Sequence, residues 1–82
     1  MIYGVYAIKD EKVGFLQIMQ DSNDFTAIRN FNFAMSRPDS LYQANKGDFK
    51  LYKFANFDSV TGELDLLPSM QMIADGSALS EV

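Results

Sequence analysis

Eighty-two residues suffice for one domain, and the lack of cysteine and histidine removes disulfide staples, thiolate or imidazole metal sites, and every Ser-His or Cys-His catalytic arrangement. The net charge of −4 is unevenly spread: all seven basic residues precede Asp58, whereas five of the eleven acidic ones lie from Asp58 onward, which disfavours generic duplex binding. A chain this short buries only about 60–65% of its unfolded surface, so its stability margin is thin and a homodimer is the expected reinforcement.

Residues 2–8 (IYGVYAI) are rich in β-branched and aromatic side chains and predict a strand. The run is too short for a leader or a membrane span and is cut by Lys9, Asp10, Glu11 and Lys12. No membrane partner is therefore expected, and the protein should stay in the cell that makes it. Residues 9–12 form a charged turn, and residues 13–20 (VGFLQIMQ) predict the antiparallel partner strand. Gly4 and Gly14 interrupt the strand patterns, as a bulge or a close approach to a large neighbour requires.

Ser22, Asn23 and Asp24 offer helix caps and a carboxylate for the positive end of the helix dipole. Ala27, Ile28, Phe31, Ala34 and Met35 follow helical spacing, which predicts Ile28 and Phe31 buried and Arg29 and Asn32 facing outward. Phe33 falls on the opposite side, either covered by another part of the chain or exposed for a partner. Arg37 followed by Pro38 ends the helix, because proline restricts the residue before it.

Residues 38–47 predict a loop or a short helical turn around Leu41 and Tyr42, and residues 49–57 (FKLYKFANF) a third strand. Residues 58–62 make a tight connection, with Asp58 opening the turn and Gly62 free to take positive φ. Residues 63–67 alternate as a fourth strand that Pro68 ends. The expected fold is α+β: a small antiparallel sheet from two β-hairpins with one helix packed on one face, in the order β-β-α-β-β. It occupies residues 1–68 as a single domain, and residues 69–82 follow as a short edge strand or a flexible acidic C-terminal arm, mobile from residue 75.

Chemistry-bearing patterns are few. Lysines interleave with aromatics in the third strand, where strict alternation puts Lys50, Tyr52 and Phe54 on one face and Phe49, Leu51, Lys53, Ala55 and Phe57 on the other. Aromatic faces beside cations are what stacking of single-stranded bases needs; an ordinary strand with a core face and snorkelling lysines reads the same way. The acidic pairs Asp10-Glu11 and Glu63/Asp65 read as solvated surface, and the five glycines are too scattered for a phosphate loop. Met70 and Met72 are adaptable contacts for an interface or filler for a small core. No catalytic residue, metal or cofactor is expected, and the protein is not expected to be an enzyme.

Residues 27–31 (AIRNF), 48–52 (DFKLY) and 57–62 (FDSVTG), with Ile2, Tyr3, Tyr6, Phe15 and Leu16 in the opening hairpin, carry a resemblance. Over about residues 2–67 the chain resembles the small nonstructural protein of gokushovirus-type microviruses, icosahedral phages with single-stranded DNA genomes. The resemblance implies a role in passing from double-stranded replication to single-stranded genome synthesis or packaging, in the cytoplasm of the infected bacterial host.

Two functions follow as expectations. The first is weak single-stranded DNA binding through Arg37, Lys46, Lys50, Tyr52, Lys53 and Phe54. The second is a homodimeric protein–protein adaptor that engages viral replication or packaging proteins through Phe33, Met70 and Met72. Charge clustering separates them: cations converging beside an exposed Tyr52 favour DNA, and a buried or neutralised face favours the adaptor.

Overall fold

The computed structural model describes residues 1–78. Strands β1 (Ile2–Asp10) and β2 (Gly14–Asp21) form a hairpin, followed by helix α1 (Asp24–Ser36). The one-turn helix α2 (Leu41–Ala44) and a 3-10 turn (Lys46–Asp48) lead into β3 (Phe49–Asp58), which pairs with β4 (Leu64–Asp75) before a second 3-10 turn (Gly76–Ala78). All pairings are antiparallel and the strand order is β2-β1-β3-β4. This is the α+β arrangement expected, with α1 crossing one face between the two hairpins.

Placing β1 and β3 at the centre explains their composition. A central strand has a paired neighbour along each edge, and residues 4–8 of β1 are buried without interruption. Tyr6, Ile8, Phe49 and Leu51 from the sheet meet Ala27, Phe31 and Met35 from α1 to form the core. Each large side chain so enclosed contributes about 1.5–3 kcal/mol.

Helix α1 starts where Asn23 accepts a hydrogen bond from the Thr26 N–H at 2.9 Å, and it ends at Ser36, before Arg37 and Pro38. Its buried positions are Ala27, Phe31 and Met35. Arg29 is exposed, but Ile28 and Asn32 are both half-buried, so the buried stripe is rotated slightly from the expected one. The buried residues Ala27, Phe31 and Met35 form an i, i+4, i+8 row, the stripe by which a helix touches a single layer.

Three expectations are corrected. Pro68 does not end a strand: β4 runs through it from Leu64 to Asp75. The sheet tolerates this because β4 is an edge and because pairing lapses there, from Ala55↔Leu66 to Lys53↔Gln71. Residues 75–78 are not a loose arm either, since Gly76 is buried at the start of a 3-10 turn; a Cβ on Gly76 would collide with the Lys46 carbonyl, so glycine lets the two 3-10 turns touch. The last part of the mobile end expected over 75–82, residues 79–82, lies outside the described residues. Finally, β3 does not alternate strictly. Its register with β1 shifts between Tyr6↔Lys53 and Val5↔Ala55, leaving Phe54 as an extra residue.

Candidate interaction surface

Cross-strand partners point to the same side of a sheet, so the register sorts every side chain. Tyr6 pairs with Lys53 and Ile8 with Leu51, which places Lys53 on the helix-covered face. Ala7 pairs with Tyr52, Val5 with Ala55 and Tyr3 with Phe57, which places Tyr52, Ala55 and Phe57 together on the face that α1 leaves open. The bulge at Phe54 thus reverses the expected placement of Ala55 and Phe57. A one-residue insertion flips all that follows it.

The neighbouring strands extend the open face. From β2, Phe15 lies opposite Lys9 and Ile18 opposite Ala7; from β4, Leu64, Leu66 and Met72 lie opposite Phe57, Ala55 and Tyr52. Met70 falls on the same side by alternation with Met72. Phe15 and Tyr52 meet edge to face with ring centroids 5.6 Å apart. Val5, Ile18, Phe54, Phe57 and Leu64 surround a shallow apolar hollow of about 330 Å³. On this face Ile18, Leu66 and Met72 stand 69%, 71% and 51% exposed.

The cations do not gather on this surface. Lys50 is on the open face, but its ammonium lies 3.3 Å from Glu11 and 4.0 Å from Asp75. Partial desolvation works against its charge, yet the Glu11 hydrogen bond and the charges of Asp75 and Glu11 prevail and hold it above the ordinary lysine value. Lys9 shares Glu11 at 3.8 Å and stands 5.6 Å from the Phe15 ring centre.

Lys53 is on the other side, 3.2 Å from Asp24. The same Asp24 oxygen accepts the Tyr6 hydroxyl at 2.6 Å. That hydrogen bond, above all, holds the Asp24 carboxyl below its ordinary value; burial opposes it and Lys53 adds to it. Tyr6 itself is pushed up, first by burial and then by Asp24. Arg37 is exposed just past α1, and Lys46 sits half-buried in the 3-10 turn before β3. Of the expected DNA-binding set, the fold brings together Lys50, Tyr52 and Phe54, and sends Lys53, Arg37 and Lys46 elsewhere.

The expected partner set also divides. Met70 and Met72 belong to the open face, whereas Phe33 is 69% exposed on α1, on the other side of the molecule. Phe15, Ile18, Phe57, Leu64 and Leu66 complete the surface, and the sequence reading gave none of them a contact role. Their signal was the alternation of Leu64 and Leu66 with Glu63 and Asp65, and apolar residues at both parities of an edge strand.

Among the described residues no three acidic side chains converge as a metal site requires, and no helix is long and apolar enough to cross a membrane. The fold and its surface define a small α+β domain with one sheet face packed by a helix and one left apolar and open. A model of the phage ORF5 protein family matches residues 3–79, and the chain belongs to that family; it is a phage protein. No curated protein and no solved structure matches it.

Proposed function

We propose that this phage protein acts without catalysis, as a protein–protein adaptor in the replication or packaging of a gokushovirus-type microvirus genome, in the cytoplasm of the infected bacterium. Its contact surface is the open face of the sheet. The observation that carries this reading is the run of Phe15, Ile18, Phe54, Phe57, Leu64, Leu66 and Met72 on one unobstructed side. The largest contiguous apolar patch on a soluble monomer is often the surface it uses for binding. The two lysines on that face are neutralised by Glu11 and Asp75, which removes the electrostatic term that dominates nucleic-acid affinity.

A second reading, binding of single-stranded DNA, is favoured by the aromatic rings on the same face, Phe15 against Tyr52 with Phe54 and Phe57 nearby. Titration with labelled single-stranded and double-stranded DNA at two salt concentrations separates the two. The adaptor reading expects no saturable single-strand binding at moderate salt. Saturable binding that Tyr52→Ala weakens by roughly 1–3 kcal/mol, the range for one lost base stack, would put DNA first.

A further inference from the structure

We infer that the occupant of the open face is a second copy of the same chain, packed face to face as a two-sheet sandwich; this rests on the open face being the working surface. Three observations favour a copy over another partner. The face is electrically neutral to itself, because Lys9 and Lys50 are matched by Glu11 and Asp75 within the chain, so two copies meet without like-charge repulsion. The face also carries both halves of a self-complementary fit. The hollow of about 330 Å³ between Val5, Ile18, Phe54, Phe57 and Leu64 shares its face with the exposed Leu66 and Met72, and a suitably placed two-fold axis sets such a side chain against the other copy's hollow.

The third observation is area. Four strands at about 4.8 Å spacing and roughly seven residues at about 3.4 Å rise give a face of roughly 450 Å² in projection. Two such faces total roughly 900 Å² in projection, close to the ~1,000 Å² expected of a specific interface. Sheets packed this way sit about 10 Å apart with their inner side chains interdigitated. The interface is at the small end of its class.

The test is sedimentation across a hundredfold concentration range for the full chain and three variants: Ile18→Asp, Leu66→Asp and Phe33→Asp. All three positions are exposed in the single chain, so each variant should fold, which circular dichroism checks. The expected result is a dimer for the native chain and for Phe33→Asp, with dissociation shifted at least tenfold to higher concentration in Ile18→Asp and Leu66→Asp. A native dimer that both open-face variants leave intact would overturn the assignment of the face and the proposed function with it. A native monomer at several hundred micromolar, with a purified phage protein bound and lost in Leu66→Asp, would overturn the second copy alone and keep the open face as the working surface; single-stranded DNA bound and lost in the same variant would overturn both the second copy and the adaptor reading.

Discussion

Tyr6 is wholly enclosed yet carries a hydroxyl, and its placement shows how single residues set the geometry. Its ring lies across Gly4, where a Cβ would overlap the ring and hydroxyl, and its O–H donates to Asp24 at the first turn of α1. Lys53 closes the group from β3, so one carboxylate ties both central strands to the helix. Gly4→Ala should force the ring aside and lower stability by about 1–3 kcal/mol, the usual cost of overpacking, measurable by urea denaturation. Because the Asp24 carboxyl is held below its ordinary value, ionised Asp24 favours the folded state. That contribution is complete above the unfolded carboxylate pKa of about 3.9 and disappears as pH falls through the lower folded value. Asp24→Asn should therefore flatten the loss of stability below about pH 4; identical acid limbs in the two proteins would contradict the assignment. The same residue explains why the ion pair of Lys53 was not legible in the sequence. The lysine and aromatic pattern of β3 was legible, but its counter-ion is far away in sequence and no local signal names it.

At the scale of elements, legibility followed locality. The helix was readable because Asn23, the apolar spacing to Met35 and the Arg37-Pro38 stop all act within a turn or two. The Gly62 turn was readable for the same reason, and Gly62 does take positive φ, at 78°. The bulge at Phe54 was not, because β3 is apolar on both faces and strict alternation fits the letters as well as interrupted alternation does. Pro68 misled because a proline forbids a central strand but not an edge, and which strand is an edge depends on the whole sheet. Two predictions belong here. Phe31→Ala should cost about 3–5 kcal/mol, the range for a buried phenylalanine, which leaves a domain this small largely unfolded; an unchanged melting temperature would show that α1 does not pack through Phe31. Deleting Phe54 should leave a folded protein, since Lys53 and Ala55 then pair with Tyr6 and Val5 without a bulge and keep their faces; an unfolded deletion variant would contradict the assignment of Phe54 as the extra residue. Phe54→Ala keeps the count and should leave a folded protein by circular dichroism.

For the molecule as a whole, the sheet is half finished: one face is sealed by α1 and the other has the composition of a core without a cover. The sequence announced the apolar residues but not their meeting on one side, which only the register of four strands decides. The hydrophobic effect that assembles the helix-covered face acts equally on the open one, and a second layer there turns a thin single-sided domain into a two-sided one. The chain contains no cysteine, so a single engineered thiol reports its own surroundings. The most direct measurement is the alkylation rate of Ile18→Cys on the open face against Phe33→Cys on the helix, each followed from low to high micromolar protein. Covering of the open face predicts a rate that falls at least tenfold with concentration for Ile18→Cys and stays constant for Phe33→Cys. Equal, concentration-independent rates at the two positions would contradict it.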